Sequence, residues 1–219
     1  MASLKGHMTK LQAVNEMLWS IGEDPVSTLT SGLPDAEQAE DILDRVSREV
    51  QIQGWHCNTL RNYSISKNAS NQFPLPDNTL KVDTVNPRGN RLTGSPPPTA
   101  HVDVVMRRSA DDTKWILWDV ENNSETWTDA GPLVVDLVQI LEFADLAPAL
   151  QMYVWTKAAH RFQKGAMGSA ALFEFTQQDV NDAQALAMQE DLETSDDNMI
   201  RNNPHVYRIA WRNNPWWGL

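Results

Sequence analysis

Residues 11–55 read LQAVNEMLWSIGEDPVSTLTSGLPDAEQAEDILDRVSREVQIQGW, and this stretch decides the fold. Leu11, Val14, Leu18 and Ile21 recur at helical spacing, and Gly22 stands where a helix C-cap belongs. Ala39, Ile42, Val46 and Val50 make a second apolar stripe, with Asp35 and Glu37 near its start and Gly54 at its end. A helix with a single apolar stripe needs a partner to cover it. The connector between the two is unusual for a loop. Ile21, Val26 and Leu29 make it too apolar to be solvated, so it is expected to pack back on the helix pair.

After Trp55 the period shifts from about 3.6 to about 2. Thr59–Ser66 and Thr79–Val85 read as strands, separated and followed by Asn-, Pro- and Gly-rich stretches at 68–78 and 86–99. Pro96, Pro97 and Pro98 exclude helix and central strand there. In His101–Arg107, Val102, Val104 and Met106 alternate with polar residues. Asp111-Asp112 and Asn122-Asn123-Ser124 then punctuate two further runs, Lys114–Val120 and Glu125–Thr128. These three runs predict an antiparallel meander, with Val134–Leu141 as its last strand or a bridge out of it.

Helical period returns at Pro148, which suits a first helical turn. Leu150, Val154, Ala158 and Phe162 share one face up to Gly165. A further helix is expected from Ala170 to about Thr194, unless Thr176 caps a fresh start, with Val180, Ala183, Leu186 and Ala187 on its apolar side. Its other side is acidic, with eight carboxylates from Glu174 to Asp197 and no Lys or Arg. That face reads as solvated. The order helix pair, β insert, helix pair points to an α+β fold. In it a four-helix bundle forms from both ends of the chain around an inserted small antiparallel β domain. The expected divisions are a leader over 1–8 and the first helix pair over 9–55. The β domain spans 56–141, the second helix pair 142–200, and an extended C-terminal arm 201–219.

Two long segments carry a family resemblance. Ala13–Leu29 (AVNEMLWSIGEDPVSTL), followed by Ile42–Trp55 (ILDRVSREVQIQGW), resembles the opening of the tail tubular protein A family, the head-to-tail adaptors or gatekeepers of short-tailed phages. Leu141–Ser169 and Leu172–Ile200 are similar to that family's closing helices, including Phe162-Gln163 and the Asp197-Asn198 pair after the last helix. Trp115–Thr128 (WILWDVENNSETWT) matches the β insert in general character. The resemblance implies a structural virion protein of the phage tail, assembled in the host cytoplasm. It implies a homo-oligomeric, dodecameric ring between the portal protein and the tail nozzle (tail tubular protein B). The helices would form the ring body against the portal, the β domain would face the nozzle, and the arm would clasp a neighbour or the portal. Double-stranded DNA would pass through without specific binding.

Composition agrees with that class. The net charge is −11, from 18 basic and 29 acidic side chains, a surface that repels free nucleic acid and would let DNA slide along a channel wall. A single cysteine, Cys57, permits no internal disulfide. No run of about 18 apolar residues is present, so no membrane partner is expected. Nine tryptophans are many: those within helices and strands, Trp19 among them, are expected in the core, whereas Trp211, Trp216 and Trp217 fall in the last nine residues, with Val206, Tyr207 and Ile209 just before or among them. Tryptophan dominates interface hot spots. Tyr207, Trp211, Trp216 and Trp217 are therefore expected to anchor the arm on a partner. Lys157, Arg161 and Lys164 form a basic stripe on the third helix, expected to meet an acidic face of a neighbouring copy or of the portal.

No chemistry is legible. The five histidines lack metal-site spacing, and no CxxC, HExxH or Gly-rich phosphate loop occurs. His56-Cys57 lacks a third orienting group. No cofactor, metal or catalytic residue is expected. Two alternatives stay open: a glycan- or wall-degrading tail enzyme using paired carboxylates, which have no fixed spacing, and a carbohydrate-binding module, for which exposed tryptophans are the only support.

Overall fold

Thr9 opens the first helix, α1 (Lys10–Trp19), with a capping box. The Gln12 N–H donates to Thr9 Oγ1 at 3.2 Å, and the Thr9 N–H donates to Gln12 Oε1 at 2.9 Å. The computed structural model describes residues 6–84, 103–110, 114–127, 131–166 and 170–195. At its other end α1 closes as expected at Gly22, whose φ of +86° suits a residue without Cβ. The Glu23 N–H reaches Leu18 O at 3.1 Å and the Gly22 N–H reaches Trp19 O at 3.0 Å, the paired bonds of a Schellman motif. The face it buries is Ala13, Val14, Met17 and Leu18.

The connector does pack back. Val26 is buried, and Ile21 and Leu29 lie half-buried against the same core. The side chain of Asn15 holds it there: its Nδ2 donates to Val26 O at 3.0 Å, and the Val26 N–H donates to its Oδ1 at 2.9 Å. Helix α2 (Pro34–Gln51) follows, with Pro34 in its first turn beside Asp35 and Glu37. Its buried seam is Ala36, Ala39, Leu43, Val46 and Val50, whereas Ile42 is only half-buried. Leu43 is wholly buried, which contributes about 1.5–3 kcal/mol. Lys10 ties α1 to α2 by reaching Glu40 and Asp44, each at 2.8 Å.

Helices α3 (Pro148–Ala166) and α4 (Ala170–Thr194) run over the expected residues. Leu150, Val154, Ala158 and Phe162 from α3 join Val180, Ala183 and Ala187 from α4 and the buried faces of α1 and α2 in one apolar cluster. Leu186 departs from expectation. It is 47% exposed and does not belong to the buried side of α4. Trp55 packs at the base of this cluster, 6.3 Å from Tyr153 between ring centroids, with its indole N–H on Val50 O at 2.8 Å.

Among the described residues, five strands form two small antiparallel sheets. β1 (Thr59–Ile65) and β2 (Thr79–Thr84) flank β5 (Leu133–Gln139), giving the order β1-β5-β2. β3 (Val104–Arg108) and β4 (Trp115–Asp119) form a separate hairpin. This differs from the single meander read from the sequence. Among the described residues Glu125–Trp127 is no strand, and only a lone bridge joins Asp119 to Ser124. The 133–139 run becomes the central strand of the other sheet. Val135 and Leu137 are wholly buried there, which a strand flanked on both sides and covered by a core requires. The turn at Asn122-Asn123-Ser124 is present: Asp119 accepts from the Asn122 backbone at 3.0 Å and its side chain at 2.7 Å, and Asn123 has φ +51°. A second apolar cluster gathers Ile65, Phe73, Leu75, Leu117, Trp127 and β5, with Phe73 edge-on to Trp127 at 5.6 Å.

A buried polar seam joins helices to sheet. Asn58 Nδ2 donates to Gln51 O at 3.0 Å and to Gln139 O at 2.9 Å, while its Oδ1 accepts from the Trp55 N–H at 2.8 Å. Of the tryptophans assigned to helices and strands, Trp55 and Trp127 are core, but Trp19 is 75% exposed. The proline run at 96–98, the start of the expected strand at His101 and the whole arm, including Tyr207, Trp211, Trp216 and Trp217, lie outside the described residues.

Candidate interaction surface

The basic stripe sits on α3 as its spacing predicts, but two of its charges already have a partner within the chain. Lys157 Nζ donates to Glu49 Oε1 at 2.9 Å. Arg161 takes both oxygens of the same carboxylate, at 2.9 Å through Nη2 and 2.6 Å through Nη1. This fork geometry is the stronger kind of ion pair. The Arg161 guanidinium first, then the Lys157 ammonium, holds the Glu49 carboxyl below its ordinary range. Lys164, at the last turn of α3, is exposed. The stripe therefore staples α3 to α2 through Glu49.

The acidic side of α4 is likewise more than a solvated face. Glu190 Oε2 accepts from the Ala149 N–H at 3.0 Å, in the first turn of α3. Asp191 Oδ1 accepts from the His56 N–H at 2.6 Å, at the start of a 3-10 turn over His56–Asn58. Both carboxylates meet orphan N–H groups where a helical turn begins, the place that favours negative charge. The side chain of Glu174 and residues Asp196 and Asp197 lie outside the described residues.

Beside these two carboxylates, Trp55, His56, Cys57 and Ala187 line a cavity of about 30 Å³. That is room for about one water. The Cys57 pKa is pushed up, chiefly by desolvation and further by the Asp191 charge. An activated cysteine needs the opposite shift. Among the described residues, no three His, Cys, Asp or Glu side chains are grouped to hold a metal.

The larger concavity is a groove of about 560 Å³ between the end of α1, α3 and α4. Trp19, Met152 and Leu186 line it and are 75%, 44% and 47% exposed. One large apolar side chain from each of three helices thus faces the same open space. Contiguous apolar exposure of this kind marks an interaction site. Glu16, Asp179 and Asp182 line the groove too, all exposed. The sequence reading missed this surface because Trp19 was assigned to the core. The available signal was angular: Trp19 follows Leu18 by about 100° around the helix, off the Leu11–Ile21 stripe.

The chain matches the tail tubular protein family over residues 11–197, a span from the first turn of α1 through the described sheets to the end of α4. The chain therefore belongs to that family and is a structural component of the phage virion tail, in an assembly with homo-oligomeric partners. No curated protein matches it. No helix among the described residues is long and apolar enough to cross a membrane.

Proposed function

We propose that this chain is the head-to-tail adaptor of its virion, a ring, dodecameric by the family resemblance, seated between the portal protein and the tail nozzle. The family match supports this reading, because its span takes in both helical ends and the β insert. In this reading the four helices act as one bundle and form the ring body, with the sheets toward the nozzle. The shared cluster of all four helices supports the bundle, since it gives the ring a single stiff unit. Arg161, Lys157 and Lys164 then present a basic edge to the portal or to an adjacent subunit, with Glu49 fixing the first two in place. Tyr207, Trp211, Trp216 and Trp217 anchor the arm.

The role asked of the protein is binding and shape, with no catalysis. Each copy brings a net charge of −11, so a closed ring offers transiting DNA a wall that repels its phosphates. The deciding experiment is the solution mass of the purified protein, alone and mixed with the cognate portal. A ring, or a monomer recruited into one by the portal, is the expected result. A monomer indifferent to the portal would overturn the reading.

A further inference from the structure

The groove bounded by Trp19, Met152 and Leu186 has no occupant among the described residues, and its chemistry is specific. Its lining combines apolar side chains with the carboxylates Glu16, Asp179 and Asp182, and it includes no Lys or Arg. At one end Gln163 Nε2 donates to Ser20 O at 3.2 Å, which fixes the amide's orientation. Its Oε1 is buried with no hydrogen-bond partner. A buried acceptor without a donor is destabilising, so a ligand that brings an N–H to it would be favoured. The groove thus calls for a ligand that is aromatic or apolar, positively charged and rich in N–H donors.

One segment of this chain has that composition. Val206–Trp217 reads VYRIAWRNNPWW, with Tyr207, Trp211, Trp216 and Trp217 interleaved with Arg208 and Arg212. From Arg201 to Leu219 there is no Asp or Glu. Indole and guanidinium N–H groups are donors with no competing acceptor, the complement to Gln163 Oε1. We propose that the groove receives Val206–Trp217 of a neighbouring copy of the same chain, an arm-in-groove contact repeated around the ring. This rests on the ring reading above and names the surface that closes it.

Reach permits the contact, and the direction of α4 favours the neighbour as donor. Fully extended, the 13 residues from Thr194 to Tyr207 span about 43 Å, more than the length of about 37 Å for the 25 residues of α4. The last turns of α4 are held at Ala149 and His56, while the groove extends along α3 toward Gln163. The groove lies along the earlier turns of α4, at Asp179 to Leu186, so at Thr194 the helix points away from it. An arm of one copy in the groove of the next is a heterologous contact, the kind that builds closed rings.

The test uses full-length chains in a Cys57→Ser background, one carrying Leu186→Cys and the other Trp216→Cys, each with a different tag. They are mixed, assembled alone or on the portal, and treated with a short bifunctional maleimide. A cross-linked species bearing both tags is expected. Assembled rings that give no such species would overturn this proposal and leave the adaptor reading intact. A chain carrying both cysteines that links only to itself as a monomer would also overturn it. No assembly of the native chain, alone or with the portal, would remove both readings. As an independent check, Asp179→Arg with Asp182→Arg should raise the protomer concentration needed for assembly at least tenfold. Arg208→Glu with Arg212→Glu on the same chain should restore most of it. If the double arginine variant misfolds by circular dichroism, the cysteine pair still decides.

Discussion

Gln51 and Leu141 lie 90 residues apart in sequence and are joined by two hydrogen bonds. The Leu141 N–H donates to Gln51 Oε1 at 2.8 Å, and Gln51 Nε2 donates to Leu141 O at 3.0 Å. The side-chain amide thus satisfies both backbone groups of one distant residue. The device recurs. Asn15 holds Val26 the same way, and Gln151 holds Met8, with the Met8 N–H on its Oε1 at 2.9 Å and its Nε2 on Met8 O at 3.3 Å. Each amide fastens a non-helical segment to a helix. Replacing Gln51 by Leu strands Leu141's two backbone groups and should destabilise the protein by about 2 kcal/mol or more. Urea unfolding should show a lower midpoint at unchanged slope.

Glu49 supplies a pH-dependent prediction. Its carboxyl pKa is lowered by Arg161 and then Lys157, so its contribution is present above the unfolded value and is lost as pH falls through the folded one. The side chain is 44% exposed, so solvent screening limits the effect to about 1 kcal/mol or less. Glu49→Gln should therefore be slightly less stable than the native chain at pH 7. Urea titrations should show that difference closing once the pH falls below about 4, the ordinary glutamate range.

Two tryptophans should behave oppositely. Trp127 is 5% exposed and packs edge-on to Phe73. Trp127→Ala should cost about 3–5 kcal/mol. Trp19, at 75% exposure, should change stability by no more than about 0.5 kcal/mol when replaced by Ser. Thermal melts read by circular dichroism distinguish the two. The same Trp19→Ser protein should assemble more weakly, since its ring faces the groove.

Gly22 and Gly54 both hold left-handed backbone, at φ +86° and +82°. A Cβ on Gly22 would meet nothing within 4 Å, whereas one on Gly54 would lie 3.1 Å from Val138 Cγ2. Gly22→Ala should cost about 1 kcal/mol from backbone strain alone. Gly54→Ala should cost more, because the β5 side chain must also give way. Denaturant midpoints of the two variants measure the difference.

Removal of residues 201–219 should leave the helical signal and the unfolding midpoint nearly unchanged while weakening portal docking. Circular dichroism and the mass of the portal complex check both halves. Undiminished portal binding and ring assembly by the folded, truncated chain would rule out the anchoring role of the arm.

The sequence by itself determined the local elements. Apolar periodicity, the Gly22 cap, Asp35 with Glu37, and Pro148 located α1, α2, α3 and α4, with α4 running from Ala170 to Thr194 as read. These signals are local, written within a few residues by backbone preference and by which face must be covered. The family, too, was legible in the two helical ends, and the match over 11–197 bears it out. Tertiary structure decided what depends on distant partners. It made 133–139 the centre of β1-β5-β2, because a strand's neighbours are chosen by which edges and faces the rest of the chain leaves uncovered. It turned Glu190 and Asp191 from a solvated face into caps and gave Lys157 and Arg161 to Glu49. It also put Trp19 and Leu186 outside. A stripe of apolar residues shows that a helix has a face to bury, but the angle at which helices cross fixes where that face ends. Only the packed helices reveal which apolar side chains are left over for a partner.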